Sequence, residues 1–213
     1  MQCTFFSDVH WKQLYPFTFP YQKGKMRWGA FTLEQFWNLT AFDLASSSKH
    51  DSLSNVQTYL KLGSLNDRWI PNEAAIVALN KLKPGQTLIS KDTVLYTPHA
   101  ADDQLEQLPF NEAFLVNHPT DFFTHCGLAI ESQTRLIQKQ WETKTWDATS
   151  EESNTTIIGD PDLVFMAPGA RVRASTMNTE HGPIFLGPNT EVQEGSNIRG
   201  PFLLDEESIV KMG

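Results

Sequence analysis

Cysteine is scarce in this sequence: of 213 residues, only Cys3 and Cys126 carry a thiol. Two cysteines so far apart do not make a disulfide scaffold; they point to idle thiols in a reducing compartment, with a single bridge between them left open. Basic charge is also short. The chain holds 17 Lys and Arg against 25 Asp and Glu, for a formal net charge of −8 and a pI near 5.2. The basic residues are scattered rather than clustered, which disfavours a nucleic-acid partner. Long apolar runs are missing as well, so nothing reads as a membrane anchor. The N-terminus, Met1-Gln2-Cys3-Thr4-Phe5-Phe6-Ser7-Asp8, has neither the charged start nor the apolar length of a signal peptide. These absences together predict a cytoplasmic protein.

What is present is core material. Hydrophobic residues make up 40% of the chain, with 14 Phe and 6 Trp among them, enough for one large or two small domains. Cys3 to Phe6 reads as a short buried strand stopped by Ser7-Asp8, and His10 to Gly29 as a loop carrying Lys12, Lys23, Lys25 and Arg27. Thr32 then opens a helix, with Gln35 three residues later as in a capping box and Leu33, Phe36 and Trp37 on one face. Strand, basic loop and helix begin a βα unit.

Residues 43 to 55 are Ser-rich and read as an exposed excursion. Val56 to Leu60 reads as a strand or short helix leading to Gly63. Asn72 to Leu82 reads as a helix started by Pro71-Asn72-Glu73 and stopped by Pro84-Gly85. Gln86 to Ile89 and Thr93 to Tyr96 form a predicted hairpin turned at Ser90-Lys91-Asp92. Pro119 to Leu136 reads as a mostly helical stretch in which Gly127 marks a place for a break. The polar run from Thr143 to Thr156 is the predicted linker between two domains, residues 1–157 and 158–213.

The second of these carries the clearest pattern. Leu186, Val192, Ile198, Leu204 and Val210 recur every six residues, and Thr190, Ser196 and Ser208 each follow an aliphatic by four. A fixed six-residue period is the hexapeptide signature of a parallel β-helix, in which the aliphatic points inward and the small residue sits at the turn of the wall. Asn178 to Leu186 breaks the phase by two, which predicts a corner insertion at Thr179-Glu180-His181-Gly182-Pro183.

With these residues in view, the chain resembles the sugar-1-phosphate nucleotidyltransferase family. Leu14-Tyr15-Pro16-Phe17-Thr18, followed by Lys23 and Gly29, looks like that family's signature run. Thr176 to Gly187 and Ile198-Arg199-Gly200-Pro201-Phe202 resemble runs of Bacteroidetes-type sugar nucleotidyltransferases. Those proteins are related to the bifunctional N-acetylglucosamine-1-phosphate uridyltransferase/glucosamine-1-phosphate acetyltransferase. The resemblance implies an α/β fold: a Rossmann-like nucleotidyltransferase-type domain followed by the start of a left-handed parallel β-helix. It also implies a nucleoside triphosphate and a sugar phosphate as substrates, and Mg²⁺ as cofactor.

The resemblance implies roles for particular residues too. Lys23 falls on the family's phosphate-clamping lysine, the alternative being a solvated loop lysine. Thr18, Arg27 and Gly29 fall on substrate-binding positions. Leu65-Asn66-Asp67-Arg68 stands where the family holds its metal-binding Asp. That makes Asp67 the candidate Mg²⁺ ligand, with a turn-forming Asp or a register that puts Arg68 there as alternatives. The family's phosphate-loop glycines are replaced by Val9 and Trp11 and its catalytic Arg by Gln13.

Related β-helix domains bind acetyl-coenzyme A between the subunits of a trimer and use a His as base; His181 is the one His in the repeat, and it reads as a corner residue. Met166 to Gly213 is shorter than three hexapeptide coils. On this reading the β-helix continues in a longer, homotrimeric protein, and the acyltransferase is an alternative activity of that protein. A non-catalytic module that binds a sugar nucleotide or assembles subunits is a further alternative.

Overall fold

The computed structural model describes residues 3–15, 22–46, 60–99, 105–147 and 154–212. It divides into two compact units, Met1–Phe123 and Thr124–Gly213. The expected segment at Val56 to Leu60 lies, apart from Leu60, outside the described residues, as does much of the Ser-rich excursion.

In the first unit, β1 (Thr4–Phe6) leads into a 3-10 helix, Val9–Leu14. The hairpin strands β2 (Arg27–Trp28) and β3 (Phe31–Thr32) then open α1 (Leu33–Ser46). The capping box forms as the sequence predicts: the Thr32 N–H donates to Gln35 Oε1 at 2.9 Å, and the Gln35 N–H donates to Thr32 Oγ1 at 3.3 Å. Next come β4 (Gly63–Asn66), β5 (Trp69–Ile70) and α2 (Glu73–Asn80), whose cap Asn72 accepts the Ala75 N–H at 2.7 Å. The predicted hairpin forms from β6 (Gln86–Ser90) and β7 (Thr93–Pro98), with Lys91 in the left-handed region at φ 52° in the turn. β8 (Glu106–Pro109) and β9 (Phe114–Leu115) complete the unit.

Five strands form one sheet in the order β1-β4-β7-β6-β8. β1 runs parallel to β4, and β6 parallel to β8, but β7 is antiparallel to both β4 and β6. The sheet is therefore mixed, which an α/β domain with parallel elements allows. The β6–β7 connection is a tight hairpin, and a hairpin can only join antiparallel strands. The core against this sheet is aromatic. Buried Trp37 donates its indole N–H to the Trp69 carbonyl at 3.1 Å and meets the Trp69 ring edge-on at 4.7 Å, and Trp69 in turn meets Phe110 at 5.7 Å.

The expected helix from Pro119 to Leu136 is three short ones: α3 (Asp121–Thr124), α4 (Cys126–Ser132) and α5 (Thr134–Trp141). Its interruptions fall at His125 and Gln133, and Gly127 lies inside α4. The glycine is there for space: a Cβ on it would stand 3.2 Å from Pro201 Cγ. Cys3 is buried, Cys126 is exposed, and both are free thiols.

From Thr156 onward the strands visit three sheets in strict rotation, each pairing parallel with the strand one round later. β11 (Thr156–Ile158), β14 (Thr176–Asn178) and β17 (Asn197–Arg199) form one. β12 (Val164–Met166), β15 (Ile184–Leu186) and β18 (Phe202–Leu204) form the second. β13 (Arg171–Val172), β16 (Glu191–Val192) and β19 (Ile209–Val210) form the third. The hexad aliphatics point into the common core: Leu186, Val192 and Ile198 are buried there, with Leu204 and Val210 packed against them. Thr190 and Ser196 are buried at the corners. The corner after β14 is longer than the one after β17, since Met177 pairs with Ile198 while Ile184 pairs with Phe202. The insertion falls where the phase break predicts, but it is three residues rather than two, because Met177 and not Asn178 is the inward residue: Met177 to Leu186 is nine positions where Ile198 to Leu204 is six. Outward-pointing Phe165 and Phe185 stack at 4.8 Å on the second sheet, on which α4 packs against β18.

β10 (Lys144–Thr145) pairs antiparallel with β12, so the chain joins the second unit well before the 157/158 boundary read from composition. The polar composition of Thr143 to Thr156 hides this because a two-residue edge strand needs no apolar pattern.

Gly200 sets a test of the corner stacking. A Cβ there would overlap the Gly182 carbonyl group and approach the Pro183 carbonyl oxygen at 3.0 Å, and backbone cannot swing aside. Gly200→Ala is expected to cost roughly 1–3 kcal/mol, in the range of overpacked cores, and thermal unfolding measures it. An unchanged melting temperature would contradict the close stacking.

Candidate functional site

Parallel neighbours β1 and β4 end side by side, with Phe6 paired to Asn66. The residues that follow them, Ser7-Asp8 and Asp67-Arg68, are thereby brought together at the carboxyl ends of two parallel strands. Open α/β sheets place their ligands at that edge. The Asp67 N–H continues the pairing by donating to the Phe6 carbonyl at 3.0 Å.

Arg68 is the hub. It is 1% exposed, so its charge has to be matched inside the protein. Its Nε donates to both Asp8 carboxylate oxygens at 3.0 and 3.2 Å, and Nη2 makes a further short bond to Asp8 Oδ2. Nη1 reaches the Val116 carbonyl at 3.1 Å and Asn117 Oδ1 at 2.6 Å. Asn66, buried beside it, donates to Asp8 Oδ2 at 3.0 Å and to the Val94 carbonyl at 2.9 Å, and accepts the Arg68 N–H at 3.0 Å. Burial alone would raise the Asp8 pKa. The hydrogen bonds from Arg68 and Asn66, the Arg68 charge and the His10 N–H outweigh it and hold the carboxyl below its usual value.

Asp67 is the opposite case. It is fully buried; its Oδ2 accepts a short hydrogen bond from the Ser7 hydroxyl, and its Oδ1 has no partner. Burial, reinforced by the nearby Asp8 charge, pushes its carboxyl up to about 7, against the pull of the Ser7 hydrogen bond and the charges of Lys23 and Arg68. Among the described residues no group of three or more His, Cys, Asp or Glu is arranged to hold a metal ion. Asp8 is committed to Arg68, so Asp67 is the carboxylate left with an open oxygen.

Lys23 is exposed, yet close enough for its charge to act on Asp67. Its position is set by the next residue. Gly24, at φ 74°, lies so close to the Phe5 ring of β1 that a Cβ would collide with it, and its carbonyl accepts the Glu34 N–H at 2.9 Å. The loop is thus pinned between β1 and the start of α1. Arg27 and Gly29 belong to the β2–β3 hairpin: Gly29 makes the turn at φ 65°, and Arg27 Nη1 donates to the Ala30 carbonyl at 3.2 Å. Thr18 lies outside the described residues. Arg68, the residue of the alternative register, is bonded to Asp8.

The segment holding Val9, Trp11 and Gln13 is a 3-10 helix, not a glycine loop. Its first N–H groups are already used, His10 by the Asp8 carboxylate at 2.9 Å and Trp11 by the Asp8 carbonyl at 3.2 Å. The N-terminus of α1 is closed too, with the N–H groups of Leu33 and Glu34 taken by the Met26 and Gly24 carbonyls. These four N–H groups are therefore not available to cradle a phosphate, as free ones at a helix start are. In the second unit, His181 is exposed at its corner and has no side-chain hydrogen bond among the described residues.

Sequence reasoning passed over Ser7, Asp8 and Asn66 as functional positions. A signal existed: two short strands each followed at once by polar and acidic residues, Ser7-Asp8 and Asn66-Asp67-Arg68.

This geometry defines an α/β protein with a charged site at parallel strand ends. A family model described as sugar nucleotidyl transferase matches residues 3–142, and the chain belongs to that family. The match spans Ser7, Asp8, Lys23, Asn66, Asp67, Arg68 and Asn117. Among curated proteins and solved structures, none matches the chain. No helix among the described residues is long and apolar enough to cross a membrane.

Asp67 makes stability depend on pH. Its folded pKa lies above the unfolded value of 3.8, so its contribution is complete below about pH 4 and is lost as pH rises through about 7. In metal-free buffer, Asp67→Asn is expected to be more stable than the parent at pH 8 by roughly 2–4 kcal/mol, at about 1.4 kcal/mol per pKa unit, and about equal to it at pH 4. Denaturant unfolding at both pH values measures the gap. A gap of equal size at both would contradict the burial of an ionisable Asp67.

Proposed function

We propose that the protein transfers a nucleotidyl group from a nucleoside triphosphate to a sugar 1-phosphate. A phosphate oxygen of the sugar 1-phosphate attacks the α-phosphorus, a new P–O bond forms, the α–β bridging P–O bond breaks, and pyrophosphate leaves. One observation carries the reading: a buried carboxylate with an unpartnered oxygen and an exposed lysine act on one another at the ends of two parallel strands, inside the family-matched region.

The roles follow from the charges. Negative charge gathers on the triphosphate and on departing pyrophosphate, and a lysine free to move at the rim suits the clamp that neutralises it. Lys23 is that residue. Arg27 and Gly29, which frame the β2–β3 turn, and Thr18 are the proposed substrate contacts. With both helix starts closed by the chain itself, phosphate binding falls to side chains.

The residues fit Mg²⁺ of the kind held by one carboxylate together with substrate phosphates and water. Asp67 would supply Oδ1, and Ser7 holds the other oxygen so that the carboxylate keeps its orientation. When bound, the ion would draw charge from the phosphates and favour ionised Asp67.

We further infer that the three parallel sheets wind as a left-handed β-helix and that the full protein is a homotrimer related to the bifunctional uridyltransferase/acetyltransferase. Sedimentation as a monomer would count against the trimer. An acyl transfer from acetyl-coenzyme A would need an oriented base, and among the described residues nothing hydrogen-bonds the His181 side chain to orient it.

The test is pyrophosphate release from a panel of nucleoside triphosphates and sugar 1-phosphates with Mg²⁺. At least one pair is expected to react, and Lys23→Ala is expected to lower kcat/KM by about 10²-fold, the scale of a lost transition-state donor, with the melting temperature unchanged. Silence across the panel, or a Lys23→Ala variant as active as the parent, would overturn the proposal.

A further inference from the structure

The second unit contains a cavity of about 340 Å³ between β10 and the β12–β13 corner. None of its residues belongs to the site at the β1 and β4 ends. Its floor is apolar: Met166, Ala167, Pro168, Ala170 and Val172 line it, with Trp146 beside them, half-buried against the unit's core cluster. The backbone around the floor is tied down. The Trp146 N–H donates to the Val164 carbonyl at 2.9 Å, the Ala170 N–H to the Ala167 carbonyl at 3.1 Å, and the Arg171 N–H to the Thr190 carbonyl at 2.9 Å.

The rim is charged. Glu142 is held there by a left-handed turn at φ 50° that ends α5, with its own N–H donating to the Gln138 carbonyl. Lys144, Thr145, Arg171 and a second carboxylate, Asp147, which has an interaction of its own, complete the rim. Among the described residues, the side chains of Glu142, Lys144 and Arg171 enter no ion pair or hydrogen bond, and the Trp146 indole N–H has no acceptor. A rigid apolar floor with an aromatic wall, two free cations, one free carboxylate and one free indole donor is a preformed small-molecule site in the physical sense. Its volume lies at the lower end of the usual range.

We propose that this cavity binds a phosphorylated monosaccharide. The Trp146 indole offers a flat apolar surface for the C–H face of a sugar ring. Glu142 accepts hydrogen bonds from ring hydroxyls. Lys144 and Arg171 pair with the phosphate, Arg171 through the planar fork that suits it. A neutral sugar would leave both cations unmatched, and inorganic phosphate would leave the aromatic wall empty. The volume suits one ring and one phosphate better than a dinucleotide. All of the site but Glu142 lies past residue 142, where the family match ends, and none of its residues takes part in the transfer chemistry proposed above.

Calorimetric titration of the full chain in Mg²⁺-free buffer tests this, with glucose 1-phosphate as the probe and glucose, inorganic phosphate and AMP as comparisons. Glucose 1-phosphate is expected to bind saturably, at least about tenfold tighter than any of the other three. Trp146→Ala and Arg171→Gln are each expected to weaken it at least about tenfold, and Lys23→Ala to leave that binding in place. If Trp146→Ala fails to fold, the exposed Arg171→Gln carries the test. Three results would overturn the proposal: no saturable binding; inorganic phosphate or AMP binding as tightly as the sugar phosphate; or binding lost in Lys23→Ala and kept in Arg171→Gln, which would put the probe at the N-terminal site. A silent pyrophosphate assay together with Arg171-dependent binding would remove the proposed activity and leave this site standing.

Discussion

The ion pair between Asp8 and Arg68 holds the N-terminal unit's chemistry in place. Arg68 is almost entirely enclosed, and a buried guanidinium without a counter-charge would cost several kcal/mol. Asp8 therefore cannot leave, and with it the end of β1 is tied to the end of β4. Asn66 and Asn117 saturate what the pair leaves over. The same pair decides the character of its neighbours. Because Asp8 is spent on Arg68, Asp67 is left beside a negative charge in a buried place with one oxygen unpartnered, and its carboxyl is pushed up to about 7. One fixed pair thus produces one idle acid and one poised acid at adjacent strand ends.

That arrangement explains how a chain without phosphate-loop glycines can still belong to a nucleotidyl transferase family. The N–H groups at the starts of the 3-10 helix and α1 are already satisfied. In the proposed reaction charge recognition is given to side chains, Lys23 first, next to Gly24, which packs closely on Phe5 of β1. Val9 and Trp11 then need not approach a ligand through their backbones. Val9 is in fact one of the most exposed apolar residues described.

Legibility in the sequence followed the range of the interactions. The hexads were readable because a coil repeats one local rule, so Leu186, Val192 and Ile198 had to share an environment. The capping box at Thr32 and Gln35 and the turn at Lys91 were equally local. Asp67 came from family resemblance, and the structure adds its burial and its open oxygen. Asp8, Asn66 and Arg68 were not legible as a unit because their contact depends on β1 and β4 being neighbours across a long, Ser-rich separation. The helix breaks at His125 and Gln133 were missed for a related reason. Gly127 looked like the weak point, and only the approach of Pro201 shows why a glycine belongs inside α4. The early joining of β10 to β12 carried no apolar signal at all.

The central claim is that Asp8 and Arg68 act as one unit that fixes the two strand ends. A double-mutant cycle with Asp8→Asn, Arg68→Met and the pair, followed by denaturant unfolding, measures it most directly. Asp8→Asn leaves buried Arg68 without its counter-charge and is expected to cost about 3–5 kcal/mol; Arg68→Met strands the half-buried Asp8 and is expected to cost less. The double variant is expected to cost at least about 1 kcal/mol less than the sum of the two, in the range seen for residues in direct contact. Strictly additive losses would contradict the account, because they would mean that the two charges do not hold the site through one another.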